Sequence, residues 1–398
     1  MMFTFIDLFA GIGGFKIGCE QNGGQSLGFS EVNKKAIATY CKNFNEKESN
    51  NFGDITKIKS LPQCDILTGG VPCQSWSIAG KRKGFEDERG QLWNDAIKML
   101  SLSNPKVFIF ENVKGLYDTR NANALAFILE QIRNRGYFPK VFLLNSYDFG
   151  LPQKRERLYI IGFKKELYAN YFNINGKVNN LVLNDFLDEP QNITSYADCF
   201  SLNDIRDGVS TLHSWDINNL SSEYKHICYL LLKNRRKSIY GEKDGNPLSL
   251  EDLKKIDKSI TIDQINKLCE LNILQNIDNK YDFKNRKIST GINGVNRIFM
   301  PSSPYFSTLT STVSYDYVAC GQNVSINTKE DFLQFYNNNT FRQITKDEGL
   351  RIQGFPEDFI LPENRTQWMK LLGNSVTPPV ISDIVKQIIL TGCLEKTI

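Results

Sequence analysis

The sequence predicts an α/β protein: a doubly wound, mainly parallel sheet accompanied by a second, smaller, irregular domain that contains β-structure. Two observations support this fold class. In the first 165 residues strand-like apolar runs alternate with helical stretches, which is typical of parallel strands with helices on both faces. After about residue 180, Asn, Asp, Ser and Lys become frequent and the hydrophobic periodicity weakens, which indicates a different kind of domain.

The alternating part begins with an apolar strand at 3–9, which runs through a glycine-rich segment into a helix that starts at Phe15. A helix is predicted at 34–44, and another around 125–132 from its spaced leucines and isoleucines. Further strands are predicted at 25–32, 65–70, 106–112, 137–145 and 157–163.

Regular structure is expected to return near the end of the chain. Short β-like pieces occur at 305–309 and 315–319. Thr345 and Glu348 have the spacing of a capping box that opens a helix, and Pro378 suits the first turn of the last helix. We therefore predict one domain from 1–180 plus 366–398 and a second from 181–365.

Length and composition restrict the class of protein. The 398 residues suffice for two or three domains, and 41% hydrophobic with 23% charged residues is ordinary for a soluble globular chain. No apolar run approaches the roughly 18–20 residues that a bilayer requires. The apolar start lacks a basic leader and is interrupted by Asp7, so we expect no signal peptide and a cytoplasmic setting.

The charge is only weakly informative about partners. The formal net charge is +4, and residues 201–300 hold 16 basic and 13 acidic side chains, so most of the excess lies in the middle of the chain. A basic segment can follow a phosphate backbone or can be a solvated face. Nine cysteines without a Cys-x-x-Cys pair, together with two histidines, argue against a zinc site and predict no metal.

The opening loop has the composition of a nucleoside site. It joins a strand to a helix through Gly11, Gly13 and Gly14, and glycines there let a ligand approach the backbone. Glu31 lies at the end of the next strand, where such folds place the acidic residue that binds ribose. The pattern G-x-G-x-x-G is absent, so a nucleoside without pyrophosphate is favoured. A tight turn with a surface glutamate is the alternative.

Three further segments carry candidate catalytic groups. Cys73 lies just past a predicted parallel strand, where such sheets place active sites, although a buried structural cysteine is the alternative. Glu111 ends an apolar strand, where desolvation should raise its pKa and make it a proton donor; a helix cap or an ion pair is the alternative. Arg155 and Arg157 share one face of the next segment, and a solvated charge cluster is the alternative.

Together these segments resemble one family, the DNA (cytosine-5)-methyltransferases, especially those of bacterial restriction–modification systems. DLFAGIGGF resembles the cofactor motif, GGVPCQSWS the nucleophile loop, ENV the glutamate motif and QKRER the arginine motif. Additional stretches that fit are Gly53–Thr56, Gly80–Gly90, Arg342–Pro356 and Gly373–Val376. The resemblance covers about residues 3–165 and 340–395 in the family's motif order, and this combination is far more specific than any one motif.

The resemblance implies a Rossmann-like, S-adenosylmethionine-dependent methyltransferase fold, a target-recognition role for the second domain, and a set of site residues. Cys73 would attack cytosine, Glu111 would protonate the ring, and Arg157 with Arg155 would hold its carbonyl oxygen. The implied S-adenosylmethionine contacts are Asp7, Phe9, Gly11, Gly13, Glu31, Val32, Asp54, Ile55, Asn374, Ser375 and Val376. The implied DNA contacts are Gln74, Ser75, Ser77, Lys81, Arg82 and Lys83.

The expected partners are double-stranded DNA and, acting separately, a possible cognate restriction endonuclease; we expect a monomer that needs no membrane. Two other readings stay open on the sequence. One is a tRNA cytosine-5 methyltransferase on the same scaffold, against which the Pro-Cys-Gln segment and the long middle region count. The other is a catalytically silent DNA-binding protein, against which intact Cys73, Glu111 and Arg157 count.

Overall fold

Two compact units make up the chain in the computed structural model. The first comprises Met1–Val182, Pro304–Val313 and Thr345–Ile398, and the second comprises Leu183–Ser303 and Ser314–Ile344. The residues that the structure describes are 2–72, 88–177, 180–188, 215, 219–241, 245–284, 298–299, 301, 303–311, 316–320, 328–338 and 341–395.

Six strands form the sheet of the first unit, in the order β2-β1-β3-β4-β6-β5. The first four strands run parallel, and β6 is antiparallel to both of its neighbours, so that only β6 is reversed. This confirms the mainly parallel sheet. The bounds are β1 Phe3–Leu8, β2 Gly24–Ser30, β3 Ile66–Gly70, β4 Val107–Val113, β5 Phe138–Asn145 and β6 Glu156–Phe163.

Twelve helices lie in the described part of the chain, apart from short 3₁₀ turns. They are α1 Gly14–Glu20, α2 Lys34–Phe44, α3 Glu88–Ser103, α4 Ala122–Arg133, α5 Glu166–Tyr171, α6 Ser222–Asn234, α7 Leu250–Ile256, α8 Ile262–Glu270, α9 Lys329–Asn337, α10 Lys346–Gln353, α11 Arg365–Asn374 and α12 Pro378–Leu390. The predicted capping box is confirmed at Thr345 and Glu348, and the predicted proline start is confirmed in α12.

Helices cover both faces of the sheet. Side chains alternate along each strand, so Phe3 and Phe5 of β1 join one apolar cluster and Ile6 and Leu8 join the other. The first cluster includes residues of α1 and α12, and the second includes residues of α3 and α4. A doubly wound sheet of this kind brings the carboxyl ends of the parallel strands to one edge.

Two small sheets and four helices, α6 to α9, occur in the described part of the second unit. The strands β7 Leu248–Ser249, β8 Leu274–Ile277 and β9 Lys280–Phe283 form an antiparallel sheet in the order β7-β9-β8. The strands β10 Ile298–Phe299, β11 Tyr317–Ala319 and β12 Phe341–Gln343 form the other sheet. The sequence did not predict the helices of this region, because they are short and contain Asn, Asp and Lys.

Two segments differ from the sequence expectation. Residues 305–309 form no strand; Phe306 makes only an isolated bridge to Gln153. Residues 304–313 and 345–365, grouped by sequence with the recognition region, pack in the first unit. Buried Gln153 explains this, since its amide nitrogen donates to the Ile352 carbonyl at 3.0 Å and its amide oxygen accepts from the Leu309 N–H at 3.2 Å.

No helix in the described part of the chain has the length and apolar character needed to span a bilayer.

Candidate active site

A cavity of about 440 Å³ lies at the carboxyl ends of β1 to β4 in the first unit. Each strand delivers the residues that follow it, as open α/β sheets do at their binding edge. The lining includes Phe9–Gly11 after β1, Glu31 and Val32 after β2, Gly70–Pro72 at β3 and Glu111 on β4. Gly373–Val376, between α11 and α12, completes the wall from the far end of the chain.

Most of the residues singled out by sequence line this cavity. Among them are Glu111, Arg155 and Arg157, and the implied cofactor residues Phe9, Gly11, Glu31, Val32, Asp54, Ile55, Asn374, Ser375 and Val376. Asp7 and Gly13 are not in the lining. Cys73, Gln74, Ser75, Ser77, Lys81, Arg82 and Lys83 lie outside the described residues. Pro72, which immediately precedes Cys73, does line the cavity.

The glycines of the opening loop serve two different purposes. Gly11 has a φ of 56° and lines the cavity, and a Cβ built on it would lie 4.0 Å from its nearest neighbour, the Phe9 carbonyl oxygen, so its backbone is accessible from the cavity. Gly13 and Gly14 are instead required by packing: a Cβ on Gly13 would lie 2.3 Å from the Phe44 ring, and one on Gly14 would lie 2.6 Å from the Val376 carbonyl oxygen. Phe9 also adopts a positive φ of 51°, an uncommon conformation for a non-glycine residue.

Gly14→Ala should therefore disturb the cavity as well as the fold. The added methyl group meets the backbone of Val376, which lines the cavity, so we expect a loss of about 1–3 kcal/mol in unfolding free energy and weaker binding of S-adenosylmethionine, the cofactor that the sequence resemblance implies. Gly18→Ala is the matched control, because its methyl would lie 2.6 Å from Ile381 Cβ, outside the cavity lining. Urea unfolding and calorimetric titration measure both; equal ligand affinity in the two variants would refute the coupling.

Glu31 is fixed by three backbone amides. Its Oε2 accepts from the Gly11 N–H at 2.8 Å, and its Oε1 accepts from Val32 and Asn33, each at 2.8 Å. Asn51 holds the backbone of the same residue by donating to the Glu31 carbonyl oxygen at 3.0 Å and accepting from the Glu31 N–H at 3.1 Å. A carboxylate oxygen has two acceptor positions, so Oε2 retains one for a ligand hydroxyl.

Asp7 lies within the sheet and not on the cavity. It is fully buried, and its Oδ1 accepts a hydrogen bond from Thr68 at 3.0 Å. Burial is the main cause that raises the pKa of Asp7 to about 7, which the Thr68 hydrogen bond partly opposes. Its position within the sheet indicates that Asp7 supports the opening loop. Asp7 does not line the cavity, so it would contact a ligand there only if the side chains around it were arranged differently.

Glu111 and Arg157 form an ion pair at the cavity wall. Arg157 Nε lies 3.1 Å from Glu111 Oε1. Glu111 is 8% exposed, and burial raises its pKa above the ordinary value, while Arg157 and then Arg155 act in the opposite direction. The pair thus combines a carboxyl that can carry a proton with a fixed cation beside it.

Arg155 contacts backbone carbonyls from distant parts of the chain. Its Nη1 donates to Leu309 O at 2.8 Å, and its Nη2 donates to Ser375 O at 2.6 Å and Gly373 O at 3.2 Å. These bonds hold the Gly373–Val376 segment against the cavity. The sequence predicts both arginines near the reacting base, and both line the cavity: Arg157 lies beside Glu111, and Arg155 also binds the carbonyls of the Gly373–Val376 wall.

Sequence reasoning missed several polar residues that position the lining. Asn112 donates to Val71 O at 3.0 Å, and the Val71 N–H donates to Glu111 O at 3.2 Å, so the strand with Glu111 holds the segment leading to Cys73. Gln353 donates to the Ser375 hydroxyl at 3.1 Å. Asn112 and Gln353 belong to motifs quoted above, but their partners are far away along the chain and spacing does not reveal them.

The cavity suits a nucleoside. Its lining combines the Glu31 carboxylate with apolar Ile55 and Val32, and the Val32 side chain is 66% exposed. Among the described residues no group of three His, Cys, Asp or Glu side chains is placed to hold a metal. A base between apolar side chains with its ribose at a carboxylate is a fitting occupant.

Comparison with known proteins agrees with this geometry. The family model described as C-5 cytosine-specific DNA methylase matches residues 3–390. The Type II methylase M.HgiEI of Herpetosiphon aurantiacus is 39% identical, with 99% of this chain and 98% of that protein covered. The Type II methyltransferase M.BanI of Aneurinibacillus aneurinilyticus is 31% identical, with 98% of this chain and 96% of that protein covered.

A solved structure shows the same fold. The Entamoeba histolytica methyltransferase EhMeth matches with a TM-score of 0.57 at 18% identity, with all of both chains covered. At that identity the likeness concerns the fold alone, and it confirms the methyltransferase architecture. With the family model spanning nearly the whole sequence, the chain belongs to the C-5 cytosine-specific DNA methylases and is a DNA (cytosine-5)-methyltransferase.

Proposed function

We propose that this enzyme methylates carbon 5 of a cytosine that is flipped out of a specific duplex sequence, through a transient bond to Cys73. One observation carries the proposal: the Glu111–Arg157 pair and Pro72, the neighbour of Cys73, line the same cavity as the nucleoside-type residues Glu31 and Val32. A methyl donor and a target base can therefore meet in one site.

S-adenosylmethionine fits the nucleoside part of the cavity. The remaining acceptor position of Glu31 suits a ribose hydroxyl, and Val32, Asp54 and Ile55 supply apolar and polar surface for adenine. Asn374–Val376, at the other wall, would hold the methionine end. Bound there, S-adenosylmethionine supplies the electrophilic methyl group that carbon 5 of cytosine receives.

Glu31→Gln should weaken cofactor binding. The Glu31 carboxylate accepts three backbone N–H bonds, and an amide nitrogen in place of either oxygen would face donors. We expect about tenfold weaker binding of S-adenosylmethionine, equal to about 1.4 kcal/mol. Glu48→Gln, an exposed change outside the cavity lining, should leave the affinity unaltered. Calorimetric titration measures the affinity of both variants for S-adenosylmethionine. Equal affinities would show that Glu31 does not contribute to binding.

The chemistry of the base is divided into easier steps by covalent catalysis. The Cys73 thiolate adds to carbon 6, and the electrons of the 5,6 double bond move towards carbon 5 and ring nitrogen 3. Glu111 gives a proton to nitrogen 3, and nucleophilic carbon 5 takes the methyl group, which leaves S-adenosylhomocysteine behind; as carbon 5 attacks, nitrogen 3 returns its proton to Glu111. Solvent water then removes the carbon-5 proton, and the electrons of that C–H bond restore the 5,6 double bond and expel the Cys73 thiolate, so that the bond formed to sulfur is broken again.

Arg157 is suited to the carbonyl oxygen of the base. Its Nε is paired with Glu111 and its Nη1 donates to the Glu156 carbonyl at 2.9 Å, whereas its Nη2 has no partner among the described residues. A guanidinium N–H aimed at the oxygen stabilises negative charge as the thiolate adds. Arg155 would act as a positioning residue through Ser375 and Gly373.

Base flipping is required because carbon 6 is inaccessible within stacked duplex DNA. The cost of a few kcal/mol must be offset by contacts to the opened duplex. We assign these contacts to the loop with Gln74, Ser75, Ser77, Lys81, Arg82 and Lys83, with Gln74 or Ser77 filling the vacated space. The region from about 181 to 340 would read the sequence through base edges in the major groove.

We also propose a protective role, in which the methyl groups shield host DNA from a separate cognate endonuclease and the enzyme acts as a monomer. The names of the relatives, Type II methylases and methyltransferases that match almost the full chain, support a modification enzyme. Bisulfite sequencing of DNA from cells that express the chain tests this function. We expect 5-methylcytosine at one recurring sequence; DNA without new methylation would refute it.

A further inference from the structure

Residues 219–284 of the second unit form a module with its own apolar core. The order is helix, strand, helix, helix, strand, strand: α6, β7, α7, α8, β8 and β9. Buried side chains from α6, β7, α7, α8 and both later strands, with Trp215, pack in one cluster, which includes Ile227, Leu248, Leu253, Ile265, Leu268, Leu274 and Phe283. The Arg235–Asp282 ion pair, with N and O atoms 2.9 Å apart and both side chains buried, ties the end of α6 to β9.

The two central helices form a tightly fixed helix-turn-helix. Ser249 begins α7 with a capping box that involves Asp252, and Thr261 begins α8 with another that involves Gln264. In the turn between them, Asp257 Oδ1 accepts from the Ser259 N–H at 2.9 Å. Asp257 Oδ2 also lies 3.0 Å from His226 Nε2 of α6, so the turn is attached to the first helix.

A β-hairpin follows the second helix. The strands β8 and β9 pair in antiparallel register, with Ile277 opposite Lys280. The two residues between them, Asp278 and Asn279, have positive φ values of 50° and 61°, as a type I′ turn requires. The hairpin pairs through β9 with β7, and its tip is exposed. Three helices with a hairpin after the helix-turn-helix have the topology of a winged helix.

One face of α8 is exposed and polar. Its exposed side chains Asp263, Asn266, Lys267 and Glu270 recur at helical spacing, while Ile265 and Leu268 on the opposite side are buried in the module. Asn266 has no hydrogen-bond partner among the described residues. Asn can bond an adenine edge in the major groove at two points, and an acidic side chain can accept from cytosine.

The charge of the module matches a polyanion. In the described part of the module, exposed basic side chains outnumber exposed carboxylates, and they occur on both the helix-turn-helix and the hairpin. The basic ones are Lys233, Arg236, Lys237, Lys254, Lys255, Lys258, Lys267, Lys280 and Lys284; the acidic ones are Glu223, Glu251, Asp263, Glu270 and Asp278. This excess of exposed basic side chains is complementary to a phosphate backbone.

We infer that this module reads duplex DNA, with α8 as the recognition helix in the major groove and the β8–β9 hairpin on the phosphate backbone. The inference rests on the proposed function, because it names the part of the second unit that selects the target. It follows from a helix-turn-helix in which the second helix presents a polar face, the docking geometry by which such motifs read base edges.

The test uses the full-length enzyme and two exposed substitutions. Methylation of a duplex library with randomised bases around a central cytosine, read by bisulfite sequencing, gives the sequence preference. Fluorescence anisotropy with one duplex that the parent enzyme methylates, at several salt concentrations, gives the DNA affinity and its salt dependence. The variants are Asn266→Ala in α8 and Lys280→Ala in the hairpin, and the control is Lys42→Ala, which removes an exposed charge from α2 of the first unit.

Asn266→Ala should reduce discrimination at one or two base pairs about tenfold or more, with methylation retained. Lys280→Ala should weaken binding to all duplexes alike and lower the slope of log affinity against log salt by about 1. Lys42→Ala should change neither. If both module variants keep the preference and salt slope of the parent enzyme, the inference is overturned and the face serves another partner, such as a protein. A parent enzyme that methylates no duplex would instead refute the proposed function.

Discussion

Cys73→Ala should abolish methyl transfer while leaving the binding of DNA and S-adenosylmethionine intact. Without the thiolate, carbon 5 of cytosine stays part of an electron-poor aromatic ring and is a weak nucleophile. We expect turnover to fall at least about 10³-fold, since covalent catalysis by the side chain is lost entirely. The residues that form the nucleoside part of the cavity, such as Glu31 and Val32, are untouched by the change.

The measurement is single-turnover transfer of a labelled methyl group to duplex DNA, with affinities determined separately for each ligand. Cys64→Ala provides the matched control, because that thiol is buried and its pKa is raised to about 12, mainly by burial, which makes it inert. The control should retain the parent rate. A Cys73 variant with normal turnover would end the nucleophile assignment.

Glu111→Gln should slow the chemical step by about 10²–10⁴-fold with little change in cofactor affinity. Glutamine keeps the shape of the side chain but cannot give a proton to ring nitrogen 3, and general acid catalysis contributes effects of this size. The substitution also removes the anion from Arg157, whose Nε lies 3.1 Å from Glu111 Oε1. The same single-turnover assay measures the rate, and an unchanged rate would refute the acid role.

The pH dependence gives a second readout for Glu111. Burial raises the pKa of this carboxyl, so its protonated form persists to a higher pH than for an exposed glutamate. The proton is lost as the pH rises through that pKa, and the donor-dependent rate should fall on the alkaline side. Glu111→Gln has no such proton and should lack this fall. A parent profile without an alkaline decline would contradict the assignment.

Much of the first unit was predictable because its signals are local. The apolar runs that became β1 to β6 and the stretch that became α2 show their periodicity within a few residues. The cavity lining was predictable for the same reason, since parallel strands deliver the residues at their carboxyl ends to one edge. Motif resemblance added Asn374–Val376, which no periodicity places beside β1.

Long-range contacts account for what the sequence did not reveal. Arg155 binds the carbonyls of Leu309, Gly373 and Ser375, which are at least 154 residues away in sequence. No local sequence pattern could therefore reveal that it holds these segments together. The sequence predicts Gly13 as a cofactor contact, but it does not reveal that Phe44 and Val376 exclude a side chain at Gly13 and Gly14, respectively. In the second unit, helices such as α8 were missed because they are short: α8 has nine residues and only two buried apolar positions, Ile265 and Leu268.

The central claim is that the Cys73 sulfur bonds to carbon 6 of an extruded cytosine. Duplex DNA with 5-fluorocytosine at the target position tests it, because fluorine on carbon 5 cannot leave as a proton does and the methylated adduct is trapped. After incubation with the enzyme and S-adenosylmethionine, we predict a complex that survives denaturation, with the nucleotide attached to the peptide containing Cys73 by mass spectrometry. Attachment at another residue, or no attachment by enzyme that methylates the unmodified duplex, would contradict the account.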